Sequence, residues 1–362
     1  MFADPWLGTV IMSSYLGLLT VVWLAMIIGV KRWGKQWLVE PSQSMTAPYP
    51  LSICVPARNE EDNIETCLRA ALASDYPEFE VIVVDDRSED QTGAIARKLS
   101  MSDPRIRVID GTEPPAGWAG KPWACYRAAK ESQGAWLLFI DADVQVDPRA
   151  ARTAVQLARS RELAMLSFFG SWRLVTFWER ALIPAIGWLI RGSINLSKHN
   201  DRSESVAFAN GQFILVSRSG YAAVEGHSSV RDQVLEDVRL AEVVKRTGLG
   251  AEIRPAPWAF DVRLYRSLTE IVRGYTKNIY EGLGRKPVAG FGAASFLFIC
   301  ALLPYLVVLV DVLGRGLAGW HLWNVYWTVW MLLICVLQVF FRYQQECHDG
   351  RSGTIAWTHP IA

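Results

Sequence analysis

Apolar residues fall in three long runs and several short ones. The long runs cover residues 6–30, 291–313 and 322–341. Each is close to the roughly 20 residues that a helix needs to cross a bilayer. The first run is broken only by the small polar residues Thr9, Ser13, Ser14 and Thr20, and Lys31, Arg32 and Lys35 follow it at once. A cleaved signal peptide carries its basic residues before the apolar stretch, so the pattern predicts an anchor. Arg285 and Lys286 precede the second run and Arg342 follows the third. The positive-inside rule then predicts a multi-pass cell-membrane protein, with residues 31–290 in the cytosol and the turn near Arg315–Trp320 outside.

The short runs lie between the first and second long ones. Residues 41–50 are rich in Pro, Ser and Thr and read as a linker. Strands are predicted at 51–55, 81–84, 106–109 and 135–140, with helices at 64–73, 92–99 and 122–131 between them. The β-branched run Val81-Ile-Val-Val84 predicts a strand buried on both faces. Strands alternating with helices give an α/β fold with a doubly wound sheet. Ligands of such sheets bind beyond the carboxyl ends of the strands. Residues 164–190 are aromatic and apolar but are interrupted by Arg173, Glu179, Arg180 and Pro184. They read as a helix lying in the membrane interface or as a core helix of the catalytic domain. A strand over 206–216 and a helix over 234–246 complete the pattern. The boundaries that follow are an anchor at 1–35, a linker at 36–49, a catalytic domain at 50–285 and C-terminal membrane helices at 286–362.

Composition supports this division. The 362 residues are 51% hydrophobic and include 16 Trp, yet 20% are charged. A net charge of +1 gives no bulk attraction for nucleic acid. The six cysteines, at 54, 67, 125, 300, 335 and 347, form no C-x-x-C pair and read as reduced thiols.

The acidic residues fall where an α/β sheet places its ligands. Asp141-Ala142-Asp143 follows the strand at 135–140. Two carboxylates so spaced can share a hard divalent cation, Mg²⁺ or Mn²⁺, with the oxygens of a diphosphate. Asp85 and Asp86 follow the strand at 81–84 and can accept from a base or a ribose, while Ser88 or Asp90 can cap the next helix. Pro56, Ala57, Arg58, Asn59 and Glu60 follow the first strand and can form a wall for a base. Lys121, in Gly120-Lys-Pro-Trp123, can pair with a diphosphate. Glu236 and Asp237 open a predicted helix, whose dipole favours ionised carboxylates. Asn210, Gly211 and Gln212 offer close backbone approach and hydrogen bonds to sugar hydroxyls, or form a plain turn. His227 is a lone loop histidine. No P-loop and no G-x-G-x-x-G is present.

In order, Val-Pro-Ala-Arg-Asn-Glu60, Val-Val-Asp-Asp86, Gly-Lys121, Asp141-Ala-Asp143 and Glu-Asp237 resemble the inverting family-2 glycosyltransferases of the GT-A fold. The resemblance covers about residues 50–285. It implies a mixed α/β sheet, a UDP- or GDP-sugar donor and a divalent metal. It makes Asp86 the base-binding acid, Asp141 and Asp143 the sugar-proximal and metal carboxylates, and Asp237 the general base. Polymer-making members carry a Q-x-x-R-W motif, whereas this chain has Arg273-Gly-Tyr-Thr-Lys277-Asn278, with Lys277 standing near the diphosphate in place of the missing Arg. The pattern is more similar to bacterial members that glycosylate carotenoid, hopanoid-associated or ceramide-type lipids. The expectation is transfer of one hexose to a membrane lipid. A processive polysaccharide synthase and a non-catalytic scaffold are the alternatives.

Overall fold

A computed structural model describes residues 5–32, 36–43, 49–314, 325–349 and 352–361. The expected linker at 41–50 and the turn at 315–320 fall partly or wholly outside them. The chain opens with helix α1 (Pro5–Arg32) and enters a sheet through β1 (Leu51–Ala57), α2 (Ile64–Leu72), β2 (Phe79–Asp85), α3 (Thr92–Ser102), β3 (Ile106–Asp110), α4 (Gly120–Glu131) and β4 (Trp136–Ile140). It continues through β5 (Val144–Val146), α5 (Ala150–Ser160), β6 (Leu163–Phe169), β7 (Ser171–Trp172), α6 (Phe177–Ser193), α7 (Leu196–His199), β8 (Phe213–Ser217) and α8 (Arg218–Ala223). The remaining elements are α9 (Glu236–Arg246), β9 (Gly250–Pro255), β10 (Phe260–Val262), α10 (Leu268–Gly282), α11 (Pro287–Leu297), α12 (Leu303–Leu313) and α13 (Val325–His348).

These elements form two compact units. One comprises residues 35–173 and 194–264, and the other residues 1–34, 174–193 and 265–362.

The first unit is built on a seven-stranded sheet of order β3-β2-β1-β4-β8-β6-β9. Only β8 runs antiparallel to its neighbours. The side-chain period of two sorts the strands onto two cores. Ile53, Val55, Val81, Val83, Leu138 and Ile140 face α2, α3 and α5. Cys54, Ile82, Val84, Leu137 and Phe139 face α4 and α9. Both faces are covered, which is why these strands read as unbroken apolar runs. A smaller sheet, β5-β10-β7, extends the unit. Ala57 and Asp85 are paired across β1 and β2, so the loops after these strands leave the sheet side by side.

Two expectations are corrected here. The stretch 164–190 is not one interfacial helix. Leu163–Phe169 is strand β6 with six of its seven residues buried, and the helix begins only at Phe177. An apolar run covered on both faces of a sheet looks, in sequence, like the start of an apolar helix. The strand expected at 206–216 is confined to Phe213–Ser217. Asn210 holds the preceding residues in a loop: its N–H donates to Ser167 Oγ at 2.8 Å and its Nδ2 to the Phe168 carbonyl at 3.2 Å.

The second unit contains three helical stretches long and apolar enough to cross a membrane: Gly8–Gly29, Pro287–Leu313 and Val325–Cys347. Leu16, Leu19, Trp23 and Ile27 of α1 pack with Met331, Ile334 and Phe341 of α13. The middle stretch is interrupted by a π-turn over Phe298–Leu302, just before Pro304. Proline has no N–H to return to the carbonyl four residues back. That carbonyl, of Cys300, accepts instead from Trp23 Nε1 at 3.1 Å and Gln338 Nε2 at 3.3 Å. Tyr15 donates to the neighbouring Ile299 carbonyl at 2.9 Å. The break in the helix thus becomes a polar join between three apolar helices, which apolar surroundings demand. Asp311 is buried and accepts from the Thr328 hydroxyl at 2.8 Å. Arg342 does not end the third span as a basic flank. It lies inside α13, fully buried, 3.0 Å from Glu346.

Candidate active site

A cleft of about 350 Å³ opens beyond the carboxyl ends of β1, β2 and β4. Pro56, Ala57, Arg58 and Glu60 line it from the loop after β1, Asp86 from the end of β2, and Asp141, Ala142 and Asp143 from the turn after β4. Gly120, Lys121 and Ala124 contribute the first turns of α4. Four carboxylates and two cations therefore face one space, and the excess of negative charge suits a cationic partner.

The loops are locked to each other. Asn59 and Arg87 adopt positive φ of 55° and 56°. The Asn59 N–H donates to Ser88 Oγ at 3.0 Å, and the Glu89 N–H donates to Asn59 Oδ1 at 2.9 Å. The Asp86 N–H donates to the Ala57 carbonyl at 2.7 Å. Asp90 accepts from the Thr92 N–H at 2.9 Å and from the Glu61 N–H at 3.1 Å, so it ties the start of α3 to the first loop. The two adjacent aspartates part company. Asp86 is buried at the cleft wall, 3.1 Å from Arg87 Nε. Asp85 turns toward α3, accepting from the Ser88 N–H at 3.2 Å with Arg97 at 3.9 Å.

Lys121 links the cleft to α9. Its ammonium lies 2.6 Å from Asp141 and 3.2 Å from Glu236. Partial desolvation by the protein around the cleft opposes its charge, but Asp141 and Glu236 more than offset this and raise its pKa. Asp237, beside Glu236 in the first turn of α9, accepts from the Gly211 N–H at 2.8 Å. Burial and then the neighbouring Glu236 push the Asp237 pKa up to about 7, against the pull of Lys121 and two backbone N–H groups. Asp143 is pushed up to about 7 as well, by burial and then by Asp141 and Glu60. A carboxyl that titrates near neutrality can take up a proton during a reaction.

The donor set fits a hard divalent cation. Asp141 and Asp143 offer oxygens from one turn, and the cost of ionising Asp143 there is what a cation would relieve. Among the described residues, no three acidic, His or Cys side chains form a metal cage, so water or a bound ligand would complete the coordination.

His227 is not in the cleft. It is buried against Phe139 and Tyr221. The Tyr221 hydroxyl accepts from the His227 backbone N–H at 3.1 Å and shares a hydrogen bond with Nδ1 at 2.9 Å. Burial and then Lys121 lower the His227 pKa to about 3, so the ring is neutral at pH 7. Gly226 makes this packing possible. Its φ is +52°, and a Cβ there would come within 2.1 Å of the Tyr221 ring. Gly226→Ala is expected to cost about 2–3 kcal/mol of stability, read as a lower midpoint in thermal unfolding.

Of the residues singled out from sequence, nine line the cleft, and Glu236, Asp237 and Gly211 reach it through Lys121. Gln212 is turned to Asn210, whose Nδ2 donates to Gln212 Oε1 at 3.1 Å. Lys277 is exposed on α10, in the other unit. Ala124 also lines the cleft, and its spacing of four from Gly120 along α4 puts the two on one helix face, a signal the Gly-Lys121 motif alone does not carry.

Residues 52–221, which include four of the five acidic and basic motifs, match the Glycosyl transferase family 2 domain. The protein carries a family 2 glycosyltransferase domain. Among relatives of this glycosyltransferase is a 4,4'-diaponeurosporenoate glycosyltransferase of Staphylococcus haemolyticus. It is 26% identical over 271 residues, 72% of this chain and 69% of the relative. The enzyme of the same name from Staphylococcus aureus is 27% identical over 272 residues, 70% of each chain. A mannosyltransferase of Pyrobaculum calidifontis, solved with GDP-Man and Mn²⁺, shares the fold with a TM-score of 0.56 at 18% identity, over 97% of this chain and 99% of that one. The mixed sheet is that of GT-A glycosyltransferases.

Proposed function

We propose that this glycosyltransferase moves a single hexose from a UDP- or GDP-sugar to a lipid acceptor in the membrane, with inversion and with Mg²⁺ or Mn²⁺ in the cleft. The observation that carries the reading is the run of contacts from Asp141 through Lys121 to Glu236, with Asp237 next to it in α9, at a cleft whose other wall is Asp86 and the 56–60 loop. Asp86 would hold the base or ribose of the donor, against Pro56, Ala57 and Arg58. Asp141 and Asp143 would hold the metal, which supplies positive charge to the departing diphosphate. Asp237 would take the proton of an acceptor hydroxyl as its oxygen bonds to the anomeric carbon and the bond from that carbon to the diphosphate oxygen breaks.

The relatives' name places a carboxylate compound, diaponeurosporenoate, on the acceptor side. A carboxylate acceptor is ionised at neutral pH, and Asp237 would then orient it rather than deprotonate it. The three apolar helices support a membrane setting, and Arg285 and Lys286 before α11 support a cytosolic catalytic domain between an anchor at 1–35 and the helices after 286.

Membranes containing the protein, given labelled UDP-glucose and GDP-mannose in turn with Mn²⁺, test the reading. Label from one donor is expected in the lipid extract as a single added sugar. Label only in material of high molecular mass would instead indicate a polysaccharide synthase.

A further inference from the structure

Lys121 pairs with a carboxylate that the proposed function assigns to a metal. Its ammonium is 2.6 Å from Asp141, one of the two carboxylates in the Asp141-Ala142-Asp143 turn, and 3.2 Å from Glu236. We propose that Lys121 is a tethered cation that holds Asp141 while the donor is absent, so that a free divalent ion is refused and enters only together with a nucleoside diphosphate. This rests on the reading of Asp141 and Asp143 as metal carboxylates.

Three features of the site lead there. The first is the count of donors. A Mg²⁺-like ion takes about six oxygens. No group of three acidic, His or Cys side chains stands ready for it among the described residues. With one Asp141 oxygen engaged by Lys121, a free ion meets Asp143 and the nearby Glu60, fewer oxygens than it takes, and the ammonium repels it. A diphosphate brings several anionic oxygens and so changes the balance. The second is exposure. The Lys121 side chain is 41% exposed, so it can leave Asp141 without stranding a charge in an apolar interior. The third is room. A Cβ at Gly211 would lie 3.3 Å from Lys121 Nζ and 3.1 Å from Asp237 Oδ2, whereas glycine leaves that side of the ammonium open. Glu236 gives the ammonium a second anchor when Asp141 passes to the metal, which keeps it near the reacting groups.

The consequence is ordered loading: metal and nucleotide arrive as a pair, and an ion-only state is suppressed. Mn²⁺ binding to the full-length protein in lipid nanodiscs, followed by electron paramagnetic resonance, tests this with Mn²⁺ alone and with Mn²⁺ plus UDP or GDP. The wild type is expected to bind Mn²⁺ weakly alone and tightly with nucleotide. Lys121→Gln is expected to bind Mn²⁺ alone at least about tenfold more tightly, because a unit positive charge a few ångströms from the ion is gone. Lys121→Arg, which keeps the charge, is expected to behave as the wild type. Equal binding of Mn²⁺ alone by wild type and Lys121→Gln, in variants with unchanged circular dichroism, would overturn the proposal and leave the metal site standing. Asp143→Asn binding Mn²⁺ and nucleotide as the wild type does would overturn the metal site itself, and the proposal with it.

Discussion

Asp237→Asn is expected to slow sugar transfer to a hydroxyl acceptor by roughly 10²–10⁴-fold while the protein stays folded. The Gly211 N–H that holds Asp237 at 2.8 Å can donate to the amide oxygen of Asn, which keeps the link from the loop to α9 while the bond from the adjacent Val238 N–H is lost. What is lost is a group that accepts a proton. Burial and Glu236 raise the Asp237 pKa to about 7, so kcat/KM of the wild type should climb as pH rises through that value. The acidic limb should vanish in Asp237→Asn. A carboxylate acceptor would show no such limb in the wild type either, because its oxygen needs no deprotonation.

The same residue makes a stability prediction with a definite sign. A carboxyl whose pKa is near 4 when unfolded and about 7 when folded binds more protons in the folded state between those values. Stability therefore falls as pH rises through the window from about 4 to 7. Asn removes the penalty, so Asp237→Asn should melt higher than the wild type at pH 8. That advantage should shrink as pH is lowered toward 5. His227 acts in the opposite sense, since its lowered pKa costs stability as pH falls below its ordinary value, but it is common to both proteins and cancels in the comparison.

Asp143→Asn is expected to reduce transfer to near background at saturating donor, and the loss should not be recovered by raising Mn²⁺. The site penalises the ionisation of Asp143: burial, and then Asp141 and Glu60, push its pKa up to about 7. Proteins keep such destabilised carboxylates where function needs them. Asp143→Asn should thus be at least as stable as the metal-free wild type at pH 8, as measured by thermal unfolding. An inactive variant that is also less stable would point to a structural role instead.

Much of this site is legible in the sequence because each motif ends a strand or begins a helix. Ala57, Asp85, Ile140 and Glu236 are the terminal residues of β1, β2, β4 and the start of α9, and their neighbours supply the cleft. The apolar helices are legible for a simpler reason, since length and composition suffice. What the sequence hides is long-range. Gly211 and Asp237 are 26 residues apart, and nothing in either loop announces that one holds the other. Asp85 and Asp86 are chemically alike, and only the turn into α3 decides which faces the cleft. Strand β6 looks like a membrane-surface helix until both its faces are seen to be covered. Arg342 looks like a flank because its partner Glu346 lies past the apolar run, one helical turn beyond it.

The most direct test of the account is an anomalous difference map of crystals of the protein grown with Mn²⁺ and UDP or GDP. A manganese peak at the Asp141 and Asp143 carboxylates is expected, with the base against Asp86 and Lys121 withdrawn from Asp141. A nucleotide bound away from Asp86, or a manganese peak with no oxygen of Asp141 or Asp143 in its coordination shell, would contradict it.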